Sequence, residues 1–206
     1  MIAIAIGARS RAPRWTDRLS ACDFPAVNWR AFLLALFGSA ASASAALPED
    51  PRGSIAPEWK ATDWLNSAPL KLADLRGKVI LVRWWTAPDC PFCATSLPVL
   101  EDWSRKMRDR DLVVVGFYHH KSDTPLKDGH VAAHAKRFGV TFPVATDPGW
   151  RTLREWWLDG AKRDFTSVTF LIGRDGRILH VHRGGTIDLA NAEGVALEKA
   201  VREALR

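Results

Sequence analysis

Cysteine is scarce in this chain. Its 206 residues hold three, at positions 22, 90 and 93. Three thiols cannot build a multi-bridge scaffold, and they cannot fill a four-cysteine zinc site. His130 and His134 fall four apart on one expected helix face. No further pair closes a four-ligand set with them, so no metal is expected. Long apolar runs are also missing, because Ala31 to Phe37 is too short to cross a bilayer as a stable helix. The net charge is +6. No basic stripe interleaved with stacking aromatics accompanies it, which argues against nucleic acid as a partner. No internal repeat is present, and no low-complexity tract lies beyond the N-terminal leader.

That leader has a recognisable order. Trp29-Arg30 precedes the apolar stretch, and small residues run from Ser39 to Ala46. Ala41-Ser42-Ala43 and Ala43-Ser44-Ala45 both fit the cleavage pattern of a secretory signal. The expected division is a leader and signal peptide over 1–46 and one globular domain over 47–206. Met1 to Ala26, with four arginines and two prolines, makes an odd start to a signal, and Val27 is a candidate initiation codon. Once cleaved, the protein would be periplasmic or otherwise extracytoplasmic, with no stable membrane insertion. If left uncleaved, the segment would anchor it. The mature part carries 24 basic and 21 acidic side chains, a mild balance. Loss of Cys22 would leave Cys90 and Cys93 as its thiols, in a compartment where disulfides persist.

Cys90-Pro91-Phe92-Cys93 follows the apolar run Val79-Ile80-Leu81-Val82-Arg83-Trp84-Trp85. It precedes a helical pattern through Leu97, Leu100, Trp103 and Met107. A strand that passes into a helix at this motif sets the first thiol at a helix N-terminus. Backbone N–H groups and the helix dipole there favour a thiolate. The second thiol comes within disulfide reach one turn later. The thiolate is the species that attacks disulfides, so the motif reads as a dithiol/disulfide exchange site. Cys90 is then the attacking thiol and Cys93 the resolving one. A purely structural bridge is disfavoured, since so small a loop constrains the unfolded chain least.

The remaining pattern places a strand at Leu112–Tyr118 and a helix at Val131–Phe138 ended by Gly139. A short strand at Thr141–Ala145 and a short helix at Arg151–Trp157 follow. Strands at Ser167–Ile172 and Arg177–Arg183 flank Asp175-Gly176, a hairpin signal. An amphipathic helix closes the chain over Leu189–Leu205. Strand–helix–strand crossovers followed by a hairpin and a helix imply an α/β fold, a mixed central β-sheet with helices on both faces.

With these residues in place, the chain resembles a TlpA-like thiol-disulfide oxidoreductase, a redoxin of the thioredoxin superfamily. The likeness spans about residues 53–206. It rests on Asp74-Leu75-Arg76-Gly77-Lys78 leading into Val79–Trp85, on Trp85-Thr86 ahead of the Cys-x-x-Cys, on Pro98, and on Thr169 through Ile178. It implies a thioredoxin-like fold and client protein disulfides as substrates. It also implies a membrane thiol reductant as electron donor, and no cofactor beyond the redox-active disulfide. Pro98 stands where such proteins kink the active-site helix. Trp85, Thr166 and Ser167 stand where they touch substrate. The family's cis-proline aligns with Ser167; a cis bond before serine costs about 2.5–4 kcal/mol, so a trans peptide is expected. Asp89 replaces an aromatic residue, and a carboxylate there would raise the pKa of Cys90. The spacing from Trp85 to Cys90 is one residue longer than usual.

Relatives of this type carry a buried acid after the second strand as a proton shuttle. Here Tyr118-His119-His120-Lys121 occupies that stretch, and His120 is the expected substitute. His180 and His182 alternate on one strand face and read as surface or edge residues. Trp84, Trp85, Trp150, Trp156 and Trp157 read as core and rim aromatics, and Trp150 to Trp157 offers a candidate groove for a peptide. Arg83, inside an apolar strand, should lie at a sheet edge or pair with an acid. Two other functions share the fold. A peroxiredoxin-like peroxidase would need threonine and proline where Ala87 and Arg83 stand. A Sco-like copper metallochaperone would need a longer cysteine spacing and a histidine near Ser167.

Overall fold

A computed structural model of the protein describes residues 46–86, 89–163 and 165–206. The leader and signal expected over 1–46 therefore lies outside the described residues, save Ala46. Among the described residues no helix is long and apolar enough to cross a membrane.

The centre of the molecule is β2 (Val79–Trp85), every residue of which is buried. Such a run suits a strand covered on both faces. It pairs in parallel with β3 (Leu112–Tyr118), from Val79 opposite Leu112 to Trp85 opposite Tyr118. A parallel neighbour needs a crossover, supplied by α1 (Pro91–Met107). The second crossover, α2 (His130–Arg137), leads to β4 (Val144–Thr146), which is parallel to β3. On the other side of β2 lies the antiparallel β5 (Thr169–Ile172), followed by the hairpin strand β6 (Ile178–His182). Gly176, at φ 82°, takes the left-handed turn position expected of the Asp-Gly pair. An edge strand, β1 (Thr62–Leu65), pairs antiparallel with β4, completing the order β1-β4-β3-β2-β5-β6.

Alternation along the strands separates two cores. Leu81 and Trp85 point to the face covered by α1, α2 and α4 (Ala192–Ala204). Val82 and Trp84 point to the opposite face, covered by α3 (Arg151–Leu153) and the wider π turn that continues it over Arg154–Leu158. The mixed sheet with helices on both faces is as expected. Four boundaries differ, for local reasons. Asn66 Nδ2 donates to the carbonyls of Val140 at 3.3 Å and Phe142 at 3.0 Å, and β4 starts only at Val144. The helix expected from Arg151 to Trp157 is one α turn that widens. Asn191 Oδ1 accepts from Gly194 N at 2.8 Å and caps α4, starting it later than Leu189. β1 went unread because it is four residues long and interrupted by Asp63 at φ 50°.

Candidate active site

Cys90 is the N-cap of α1. Its extended backbone (φ −79°, ψ 104°) turns the chain from strand to helix, and Pro91 takes the first helical position, where a missing N–H is harmless. The Cys90 carbonyl accepts from Cys93 N at 3.0 Å and Ala94 N at 3.2 Å. Its Sγ accepts from Cys93 N at 3.2 Å. A backbone donor thus already points at the sulfur expected to carry charge. Cys90 and Cys93 are joined in a disulfide, with Cα atoms 5.3 Å apart. Cys90 is half-buried while Cys93 is fully buried, so an approaching sulfur meets position 90 first. The exposed Phe92 and Asp89 flank it.

The loop before β5 is clamped from three directions. Trp157 Nε1 donates to Phe165 O at 2.7 Å, and Trp84 N to Val168 O at 3.0 Å. His119 Nε2 and Thr166 Oγ1 are 2.9 Å apart. The ring of Phe165 lies so close to Gly184 (φ 139°) that a Cβ there would sit 2.6 Å from the Phe165 Cβ. Glycine is required at 184 by both backbone angle and space. Thr166 is half-buried and Ser167 buried. No cis peptide occurs among the described residues, so Thr166–Ser167 is trans, as serine at that position predicted.

His120 does not occupy the place expected of a buried proton shuttle. It is half-exposed, with Nε2 2.7 Å from Thr124 O and Nδ1 3.4 Å from the Tyr118 hydroxyl. The same hydroxyl meets His130 Nε2 at 3.1 Å, and His130 meets His134 Nε2 at 3.1 Å. The histidine tied to the Thr166 loop is its neighbour, His119, fully buried with its ring edge-on to Trp150 at 5.4 Å. Burial, reinforced by the cations Lys121 and Arg83, pulls the His119 pKa down to about 3. It is neutral at physiological pH and a weak base there.

Other placements correct the sequence expectations. Trp85 is fully buried, packed edge-on against Tyr118 at 5.1 Å, and forms the floor of the site rather than a surface for substrate. Trp156 and Trp157 are core residues, as expected of these aromatics, and Trp157 also lines a surface hollow with Arg163, Phe165 and Arg183. His182 does lie on an edge strand, β6, but its side chain is buried there, 3.8 Å from Glu193. Arg83 lies neither at an edge nor beside an acid. It is fully buried on the central strand, and its partners are neutral oxygens. Among the described residues no group of three His, Cys, Asp or Glu side chains is arranged to hold a metal ion.

Comparisons with known proteins follow this geometry. The family model for redoxin matches residues 51–196. The protein DipZ of Mycobacterium tuberculosis is 31% identical over 133 residues, 63% of this chain but 18% of that relative. Peroxiredoxin Q of Sedum lineare is 24% identical over 155 residues, covering 75% of this chain and 76% of its own. The solved structure of a candidate thiol:disulfide interchange protein DsbE from Chlorobium tepidum superposes with a TM-score of 0.60. It shares 27% identity over 75% of this chain and 98% of that one. With its thioredoxin-like sheet and Cys90–Cys93 bridge, the chain belongs to the redoxin family, among the thiol-disulfide oxidoreductases of the thioredoxin superfamily.

Proposed function

We propose that the domain is an exported protein oxidoreductase that exchanges disulfides with client proteins through Cys90 and Cys93. The observation that carries this reading is the contrast between the two sulfurs. One is half-exposed at a helix N-cap, and the other is sealed one turn inside and bonded to it. In the reduced protein, the Cys90 thiolate attacks a client disulfide and forms a mixed disulfide. Cys93 then attacks Cys90, releases the reduced client thiols and restores the internal bridge. A membrane-bound dithiol donor returns two electrons to the pair. Thr166 and Ser167 form the rim against which the client chain lies. The reaction uses no cofactor beyond the disulfide itself, and the signal-like segment ahead of residue 47 supports export.

Replacing Cys93 by Ser blocks resolution and leaves clients attached to Cys90. Mass spectrometry of the exported fraction should find adducts that a reductant releases. Absence of any adduct, together with a wild-type protein that never cycles between thiol and bridged forms, would sink the reading. The similarity to peroxiredoxin Q supports a second one, peroxide reduction at Cys90. Against it, Arg83 stands where such enzymes carry proline, and Ala87 where they carry threonine. Peroxide consumption measured against a Cys90→Ser control separates the two.

A further inference from the structure

Arg83 sits in the middle of β2, opposite Gly116 on β3 and Thr169 on β5, with none of its surface reaching solvent. It shares the strand face of Leu81 and Trp85, beneath α1. Its Nη1 donates to Thr169 Oγ1 at 3.0 Å. Its Nη2 donates to Gly185 O at 2.7 Å and Ser96 Oγ at 3.4 Å, while Nε has no partner. Among the described residues no carboxylate pairs with it. A buried cation without a counter-charge costs several kcal/mol, and nothing in the packing of this strand requires one. Desolvation draws its pKa down only to about 9, so it stays cationic at neutral pH.

Ser96, which Arg83 touches, lies three residues after Cys93 on the same helix face. Both are fully buried. The other charged or titratable groups nearby are otherwise engaged. Glu101, further along α1, accepts from Thr141 N and Oγ1. His119 and His182 are each held toward the neutral form by burial and by Arg83 itself. Glu193 reaches His182 from α4, Lys121 acts on His119, and Asp89 is exposed at the mouth of the site. What remains on this face is the sulfur pair, which is neutral when bridged and able to carry a negative charge when reduced.

We propose that Arg83 is a positioning residue whose buried charge holds Cys93 as a thiolate once Cys90 is engaged in a mixed disulfide, so that resolution needs no general base. This rests on the exchange function proposed above. When a dithiol donor reduces the bridge, its thiolate attacks one sulfur, the S–S bond breaks, and the electron pair stays on the departing sulfur. The second donor thiol then attacks the first donor sulfur in that mixed disulfide and displaces the protein sulfur. The donor leaves as a disulfide, and two electrons remain on Cys90 and Cys93. The reduced pair carries one negative charge, which sits on Cys90 as it attacks a client; once Cys90 is bonded to the client, Arg83 lets the Cys93 proton go to solvent. The resolving sulfur thus ionises in the mixed disulfide without help from a base, in keeping with the buried, weakly basic His119.

The test titrates Cys93 in the Cys90→Ser protein by its thiolate ultraviolet absorbance, with Arg83 intact or replaced by Met, Gln or Lys. In parallel, the two-cysteine protein is equilibrated in a glutathione redox buffer. Arg83→Met and Arg83→Gln should raise the Cys93 midpoint and cut its thiolate fraction at neutral pH about tenfold. They should also enlarge the bridged fraction in the buffer, and Arg83→Lys should restore both. Unchanged titration and redox balance in a folded Met or Gln variant would overturn the proposal, as would a Lys variant that behaves like Met. If neither neutral variant folds, a Cys93 midpoint in Cys90→Ser protein at or above the free value of about 8.5 overturns it alone, and a midpoint clearly below that value supports it. Client capture by the Cys93→Ser protein does not depend on the charge at 83, so failure of the exchange reading registers separately.

Discussion

The two faces of the sheet are built from different materials. The face under α1 combines aliphatic side chains and the rings of Trp85, Trp103, Tyr118 and Phe142 with the disulfide, a buried arginine and a buried serine. The opposite face carries no disulfide and centres on a denser cluster of contacting aromatic rings among its aliphatic residues. Trp84 meets Phe117 at 5.2 Å, Trp156 at 5.6 Å and Phe170 at 5.8 Å, and Trp59 meets Phe117 at 5.4 Å. Even its polar element serves packing. The buried Asp147 accepts from Trp84 Nε1 at 3.0 Å, Thr152 N at 3.0 Å and Leu153 N at 2.8 Å, locking α3 onto β2. One face spends stability on chemistry, and the other supplies it. A sheet with a dense second face can tolerate a buried cation and a labile bond on its first.

That contrast predicts which measurements separate. Cys90→Ser should abolish exchange while leaving the fold intact, because loss of so short a loop lowers unfolding free energy by about 2 kcal/mol or less. Activity and urea unfolding measured on one preparation check this. Trp84→Ala should do the opposite, destabilising by about 3–5 kcal/mol while leaving the thiol titration of the folded protein unchanged. A shifted thiol titration in that variant would break the division between faces.

His119, at the end of β3, should make stability depend on pH. Its folded pKa lies below the unfolded value near 6.5, so between that value and about 3 the unfolded chain binds the extra proton. Stability is therefore full above about pH 6.5 and falls as the pH drops. The slope is about 1.4 kcal/mol per unit, or roughly 2 kcal/mol lost by pH 5. His119→Gln should flatten the difference between urea midpoints at pH 7 and pH 5. The smallest effect belongs to the outer surface. Arg202→Ala removes an exposed pair with Glu198 on α4 and should cost about 0.5 kcal/mol or less, vanishing in high salt.

The parts legible in sequence were those decided within a few residues. Val79–Trp85 read as a buried strand from its unbroken apolar run, and α1 from its 3.6-residue spacing and its Pro at the first position. The trans bond before Ser167 followed from the identity of one residue. His119 and His120 are adjacent, and which one turns inward depends on where β3 ends. Trp85 reads as core from its strand and as a substrate contact from the family likeness, and only the packing of Tyr118 against it decides for the core. β1 was hidden because a four-residue edge strand is defined by its partner, β4, some eighty residues later.

The amino-acid sequence alone settled that two sulfurs would meet at a strand-to-helix junction, because spacing within one helical turn places them whatever the rest of the chain does. It also settled that the sheet would be covered on both sides, because only burial from above and below suits strands so uniformly apolar. Tertiary structure decided the environment of those sulfurs. Arg83 finds Ser96, Thr169 and Gly185 across separations of 13, 86 and 102 residues. A charge acquires its partners, or its lack of them, only when distant segments close around it.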